Sequence, residues 1–313
     1  GVRELAPADA PPRRLSSANQ PSTPRFTMLD NIARLRRFNR AVTREVGALD
    51  HSYLGRGRPL GAARVLQLIT PQGRDISEIR SKLSLDSGLL SRLLRSLEAE
   101  ALIDITTDPS DRRRRTARLT AKGEAEMQAY NAIGYARAAE TLARAGNRQQ
   151  ALIAAMDLIA TTLLKDQLEI RDADANDPAS LACLQAYYDL LAAKIPDLTP
   201  DMLTLPLSDP EKYLPPHGAF LIAWSDDLPI ACVSLRPLQA GTGEVKRLWV
   251  DPSARGQGLA RRMMQAIEAR AKTLGYTALK LDTNAALPEA IALYRADGWH
   301  DIPAYTSFPA THW

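Results

Sequence analysis

Apolar residues recur at intervals of three and four from Met28 onward, at Leu29, Ile32, Leu35, Phe38, Val42 and Val46, while Arg34, Arg36, Arg37 and Arg40 occupy the opposite side. That spacing predicts an amphipathic, basic helix. A second helix is predicted over Gly61 to Ile69, closed by Thr70-Pro71-Gln72-Gly73. Asp75-Ile76-Ser77-Glu78 has the form of a capping box and predicts a helix capped by Asp75 that runs to about Leu83. After a turn from Ser84 to Asp86, the stretch Ser87 to Glu100 puts Leu89, Leu93 and Leu97 on one stripe with Leu90 and Leu94 beside it. Ser87, Ser91 and Arg95 line another face, with Arg92 and Ser96 alongside. The period then changes: Leu102-Ile103-Asp104-Ile105 alternates, Thr107-Asp108-Pro109-Ser110 turns, and Thr116 to Thr120 returns. This predicts a hairpin whose tip carries Arg112, Arg113, Arg114 and Arg115. An alanine-rich helical pattern fills Ala121 to Lys165.

The second half alternates strands and helices. Leu168 to Arg171 reads as a strand, and Asp177-Pro178 as the N-cap and first position of a helix reaching about Lys194. Ala219 to Trp224 and Ile230 to Leu235 form a predicted hairpin, and Glu244 to Val250 the next strand. That strand runs through Asp251-Pro252-Ser253-Ala254 into Arg255-Gly256-Gln257-Gly258-Leu259-Ala260. A helix to Gly275 follows, with Leu259, Met263 and Ile267 on one side, and then a strand at Leu279-Lys280-Leu281. A strand, a glycine-bearing turn and a helix N-terminus make an anion cradle, because the first N–H groups point outward and the helix dipole favours negative charge. A Gly-x-Gly turn alone serves equally as a tight connection. It is not a Walker loop, since no Gly-Lys-Ser/Thr follows, nor a dinucleotide fingerprint, since the third glycine is missing.

With 313 residues, 45% hydrophobic and 24% charged, the chain has the size and balance of two folded domains rather than of a disordered protein. No run approaches the ~18 apolar residues of a membrane span. Cys183, Cys232 and four scattered histidines make neither a disulfide framework nor a metal-binding spacing, so no metal is expected, and a reducing compartment, the cytoplasm, is the expected location. Residues 1–27, rich in Pro, Ala, Ser and Arg and without an apolar signal core, read as a disordered leader. Charge divides the rest. Residues 28–165 hold 23 Lys and Arg against 15 Asp and Glu, net +8, while residues 166–313 hold 13 against 19, net −6. A polyanion partner is therefore sought only in the first domain.

Two resemblances organise these readings. Ser91-Arg92-Leu93-Leu94-Arg95-Ser96-Leu97-Glu98, the run Asp108 to Arg113 and Leu119-Thr120-Ala121-Lys122-Gly123 resemble the recognition helix and wing of the MarR family of winged helix-turn-helix regulators, over about residues 28–165. The resemblance implies a double-stranded DNA partner, contacted by Ser87, Ser91, Arg92 and Arg95 from the helix and by Arg112 to Arg115 from the wing. It also implies a homodimer built from the first helix and the Ala121 to Lys165 pattern, with recognition helices about one DNA turn apart. Ala101 departs from the family, which has a glycine there, so a different turn is expected. In the second half, Val245 to Ala260 with the later Leu293-Tyr294-Arg295-Ala296-Asp297-Gly298-Trp299 resembles the GNAT N-acetyltransferase superfamily, over about residues 168–308. The expected fold is thus multi-domain: a mainly α winged helix-turn-helix domain at 28–165, then an α/β domain at 166–313 with a mixed, mostly antiparallel sheet.

The second resemblance implies acetyl-CoA as cofactor. Backbone amides of Arg255, Gly256, Gln257, Gly258, Leu259 and Ala260 would hold its pyrophosphate, Leu248 to Val250 its pantetheine arm, and Asn284 would meet it nearby. Tyr294 matches the general acid that protonates the departing thiolate; at helical spacing from Ala290 and Ile291 it also reads as a packing residue. An acceptor amine must shed a proton before attack. Glu244, expected to share a face with Lys246 and Leu248, is a candidate base or ammonium-binding group. Tyr187, Tyr188 and Tyr305 are candidate pocket walls. The reading is a bifunctional MarR-like regulator and N-acetyltransferase for a small amine such as an amino acid or amine toxin. The alternatives are a regulator whose second half senses acyl-CoA or amine, or an enzyme for protein lysine.

Overall fold

The computed structural model describes residues 25–109, 111, 114–195, 198 and 204–305, so the expected leader lies outside the described residues up to position 24. The chain divides into two compact units between Arg144 and Ala145.

In the first unit, α1 (Arg25–Glu45) starts slightly ahead of the expected Met28. It is followed by α2 (Leu60–Leu68), β1 (Arg74–Asp75), α3 (Ile76–Lys82), α4 (Ser87–Ala99), β2 (Ile103–Thr107), β3 (Arg115–Leu119) and α5 (Ala121–Ala145). Asp75 caps α3 by accepting from the Ser77 N–H at 2.7 Å, and Asp86 caps α4 by accepting from the Leu89 N–H at 2.8 Å. Each cap is worth about 1 kcal/mol. On α4, Leu90, Leu93, Leu94 and Leu97 are buried against Val65 and Leu66 of α2, Ile79 of α3, and Leu102, Ile103 and Ala117 of the hairpin, while Leu89, expected on the stripe, is half-buried. The hairpin is joined by β1 in an antiparallel sheet of order β1-β3-β2. Two residues are too short a strand to leave an alternation in the sequence.

Two further positions fix how the hairpin meets the helices. Ala101 adopts a left-handed conformation, φ 55°, directly after α4, so the turn expected to differ there keeps the glycine-like geometry instead. An L-residue carries that strain at a cost of about 1–2 kcal/mol; the Leu102 N–H bond to Leu97 O at 3.0 Å and the Thr120 hydroxyl bond to Ala101 O at 2.7 Å help to hold it. Gly123 cannot be anything larger, since a Cβ there would stand 1.9 Å from Leu102 O.

The alanine-rich pattern from Ala121 to Lys165 is not one helix. It breaks at Gly146, φ 54°, and resumes as α6 (Gln149–Leu163). α6 belongs to the second unit, where the Thr161 hydroxyl donates to Ser253 O at 2.9 Å. The unit boundary accordingly precedes the one expected at Lys165.

The second unit continues with β4 (Glu169–Asp172), α7 (Pro178–Lys194), β5 (Ala219–Ser225), β6 (Leu228–Gln239), β7 (Thr242–Val250), α8 (Leu259–Thr273), β8 (Ala278–Leu281) and α9 (Pro288–Ala296). Its sheet has the order β4-β5-β6-β7-β8, antiparallel except for the parallel pair β7 and β8. On one face Leu221, Val233, Leu235 and Val245 pack against Leu259, Met263 and Ile267 of α8. On the other, Phe220, Ile222, Cys232 and Trp249 pack against Cys183 and Leu184 of α7. Cover on both faces explains why β5 and β6 read as continuous apolar runs. Among the described residues no helix is long and apolar enough to cross a membrane.

Candidate active site

β7 pairs with β8 only from Thr242 to Val245, against Ala278 to Leu281. Past that point the outer backbone edge of β7 has no strand neighbour among the described residues, while its inner edge stays on β6 as far as Val250. The β6 register slips here: Ser234 faces Lys246 but Cys232 faces Trp249, leaving one extra residue in β7. This is a β-bulge, and Arg247 takes a left-handed φ of 58° within it. An extra residue inverts every later side chain. Leu248 therefore packs on the α8 side and Trp249 on the α7 side. The expectation that Glu244, Lys246 and Leu248 share a face is corrected: Leu248 points away from the other two.

At its far end β7 delivers the chain to the glycine turn. Asp251 accepts from the Ser253 N–H at 2.8 Å, and Arg255 Nε donates back to Val250 O at 3.0 Å. Gly256 and Gly258 have φ of 74° and 78°, and Gly258 is the N-cap of α8. A Cβ on either would meet nothing within 4 Å, so glycine is required there by backbone conformation and by open access, not by crowding. Gln257 Nε2 donates to Ser253 O at 3.2 Å. The Leu259 side chain is buried in the core, which leaves its backbone to meet a ligand, and Ala260 is half-buried. The N–H groups of the first turn of α8 have no intrahelical acceptors. An exposed glycine turn, a helix N-terminus and the adjoining free strand edge fit an extended ligand that carries a pyrophosphate.

Across the opening, Lys246 Nζ on β7 meets Asp282 Oδ1, just beyond β8, at 2.7 Å. Glu244, 1% exposed, accepts from Arg236 Nε at 2.6 Å, Lys246 Nζ at 3.3 Å and the Tyr305 hydroxyl at 3.2 Å. Both carboxylate oxygens are thus engaged. Arg247 donates to the hydroxyls of Tyr188 at 3.3 Å and Tyr213 at 2.7 Å, and its guanidinium lies 5.0 Å from the centre of the Tyr213 ring. Tyr187 and Tyr188 have ring centres 5.7 Å apart. Burial, then the neighbouring charge of Asp282, raises the Tyr294 phenol above its ordinary value, so it stays protonated at neutral pH. Its ring sits 6.2 Å from that of Trp299. Asn284 is buried and accepts from the Ala286 N–H at 2.8 Å, shaping the turn that leads to α9.

Arg236, Lys246, Arg247, Tyr213 and Asp282 were not read as site residues from sequence. A signal was present. Glu244, Lys246 and Arg247 are three charges in four residues of a strand otherwise built from apolar positions, and buried charges require specific partners.

In the first unit, α3, α4 and the hairpin enclose a groove of about 690 Å³ whose lining carries four arginines, Arg80, Arg95, Arg114 and Arg115, and three carboxylates, Asp75, Glu98 and Asp111, with Ser87 and Ser91. Ser87, Ser91, Arg92, Arg95 and Arg115 are exposed. Arg114 lies 3.5 Å from Asp75. Arg112 and Arg113 lie outside the described residues.

The chain matches the Acetyltransferase (GNAT) family over residues 184–299, a span that includes β7, the glycine turn and Tyr294. It is 36% identical over 96 residues to an IAA acetyltransferase of Azospirillum brasilense, covering 30% of this chain and 63% of that protein. It is 34% identical over 116 residues to an N-acetyltransferase of Schizosaccharomyces pombe, covering 36% of this chain and 71% of that one. A solved acetyltransferase from Streptococcus agalactiae aligns at a TM-score of 0.38 and 21% identity, over 46% of this chain and 94% of that one. The chain thus spans slightly less than two thirds of the first of these relatives. On the shared sequence, the chain belongs to the GNAT family of acetyl-CoA-dependent acetyltransferases.

Proposed function

We propose that the chain is an N-acetyltransferase that moves acetyl from acetyl-CoA to a small amine, joined to a MarR-type DNA-binding regulator that acts as a homodimer in the cytoplasm. The observation that carries the enzyme reading is the run of β7 from its parting with β8 directly into the Gly256–Gly258 turn, inside the segment matched to the family.

Acetyl-CoA supplies an activated thioester. Backbone N–H groups from Arg255 to Ala260 would hold its pyrophosphate, the free edge of Leu248 to Val250 would align the pantetheine arm, and Asn284 would meet it nearby. Transfer would form the nitrogen–carbon bond as the carbon–sulfur bond breaks, with one proton leaving the amine and one reaching sulfur from solvent. Tyr294 keeps its proton and donates a hydrogen bond to the departing sulfur. A thiol ionises near ~8.5 and a phenol near ~10, so with the phenol raised further its main service is to stabilise the developing thiolate. Both Glu244 oxygens already accept hydrogen bonds but keep lone-pair capacity, so it takes the amine's proton through a shared water or docks the ammonium.

For the first unit, α4 fits a major groove with Arg92 and Arg95 toward base edges. The hairpin arginines Arg112 to Arg115 follow phosphates or a narrow minor groove. Exposed Ile32, Leu35 and Val42 on α1, Val46 just after it and Tyr135 on α5 are apolar surface that supports a second copy as partner.

The test is release of coenzyme A thiol from acetyl-CoA with a panel of small amines and a lysine-bearing peptide. Acceptor-dependent release with small amines is expected. Release with the peptide alone would move the acceptor to protein, and acetyl-CoA binding without release would leave a sensor.

A further inference from the structure

The cations at the mouth of the site are not equivalent. Arg236 is matched by Glu244, and Lys246 by Glu244 and Asp282. Arg247 is different: among the described residues its side chain forms no ion pair, and its hydrogen-bond partners are the neutral hydroxyls of Tyr188 and Tyr213. It is half-buried at the bulge, beside the point where β7 leaves β8. Placing a guanidinium in a partly dry pocket without a carboxylate is costly, and the left-handed backbone that puts it there adds strain of the kind that persists at functional sites. The two phenols hold Nε and Nη1, and among the described residues Nη2 has no hydrogen-bond partner. A planar, always-charged fork matches a carboxylate in two-point contact.

Resting on the acetyltransferase reading above, we infer that Arg247 binds a carboxylate of the acceptor, which makes the acceptor an amine that also carries an acid group, of the amino-acid class. The acceptor's ammonium then lies toward Glu244, which shares this face of β7 with Lys246 and Arg247. Pyrophosphate is not the anion in question. Its cradle begins at Arg255, past the end of β7, and Arg247 to Val250 alone spans about 10 Å of strand.

The experiment compares free L-amino acids with their primary amides as acceptors, in wild type and Arg247→Met, at saturating acetyl-CoA. The expected kcat/KM ratio of acid to amide is about tenfold or more in wild type, the usual scale for hydrogen bonds to a charged group, and it collapses toward unity in Arg247→Met. Calorimetric affinity for coenzyme A stays the same in both, which separates an acceptor carboxylate from a cofactor phosphate. Amides acetylated as well as acids, or a ratio that survives in Arg247→Met, would overturn the inference. If no acceptor releases thiol, the acetyltransferase reading is what fails, and binding of N-acetyl-L-amino acids to the coenzyme A complex still decides on Arg247: lost in Arg247→Met it supports the assignment, absent from wild type it refutes it. Should Arg247→Met not fold by circular dichroism, Arg247→Lys keeps the charge without the fork and should retain only part of the preference.

Discussion

The two positively charged regions of this chain are built on opposite plans. In the first unit Arg92, Arg95 and Arg115 stand exposed on a helix and hairpin, without ion-pair partners among the described residues. In the second, Arg236 and Lys246 are drawn into the protein and matched by Glu244 and Asp282, with Arg247 held by phenols beside them. Exposed cations need no partner until a polyanion arrives, and they then gain affinity by releasing counterions. Partly buried cations are costly unless paired, and the one left without a carboxylate, Arg247, is the group assigned above to a small ligand. On the proposed reading, the first plan would yield salt-dependent binding to an extended surface, the second geometric selection.

The change expected to have the largest effect is made at the second region. Tyr294→Phe keeps the packing against Trp299 and removes only the hydroxyl, so turnover should fall ~100-fold to ~1,000-fold, about 3–4 kcal/mol of barrier, the scale of losing one donor to a developing anion, while acetyl-CoA affinity holds. Because burial raises the phenol from its ordinary value of 10.0, the wild-type rate should climb as the acceptor loses its proton and show no downturn from Tyr294 below that pH. Wild-type turnover in Tyr294→Phe, with chemistry shown to be rate-limiting, would leave the tyrosine a packing residue.

A smaller effect tests the first plan. The Arg92→Ala/Arg114→Ala double variant should weaken binding to the preferred duplex: an arginine that reads a base edge is worth about 1–3 kcal/mol, and one that holds a phosphate steepens the salt dependence, so its removal flattens the slope. Fluorescence anisotropy at several salt concentrations measures both quantities. Identical curves for variant and wild type would remove DNA from the account of that groove.

The smallest effect separates structural from functional arginines within the first unit. Arg56 and Arg58 differ from Arg92 and Arg95 in being paired: Arg58 Nη1 lies 2.7 Å from Glu126, and Arg56 forms the hydrogen bond that most strongly lowers the Glu126 carboxyl below its ordinary 4.5. A lowered folded-state value means this stabilisation is fully present above pH 4.5 and is lost as pH falls through the folded value beneath it. Glu126→Gln should therefore lower the thermal midpoint at neutral pH and flatten its dependence on acid. An unchanged acid limb would assign that limb to other carboxylates.

What the sequence made legible follows the same division. Elements held by local chemistry were readable: Asp75 and Asp86 cap where a side-chain acceptor precedes an apolar stripe, and Gly256 and Gly258 mark the turn where backbone must be left-handed. Features set by register were not. The bulge at Arg247 carries no residue signature, since an arginine in left-handed backbone is chosen by the pairing of β6 with β7 and not by its own preference. That single inserted residue reversed the face of Leu248 and hid the cation cluster. The Ala101 turn erred in the other direction, because the hydrogen bonds of Leu102 and Thr120 outweigh the preference for glycine. The break at Gly146 was masked by alanines on both sides that favour helix.

Both the mechanism and the acceptor inference depend on the glycine turn as the cofactor cradle, and calorimetric titration of acetyl-CoA into wild type and Gly258→Glu tests that most directly. The substitution brings negative charge to a helix N-terminus and strains a backbone whose φ is 78°. The account predicts one-site binding to wild type and its loss in a variant that retains its circular dichroism spectrum. Equal affinity in the two folded proteins would contradict it and move the cofactor away from this turn.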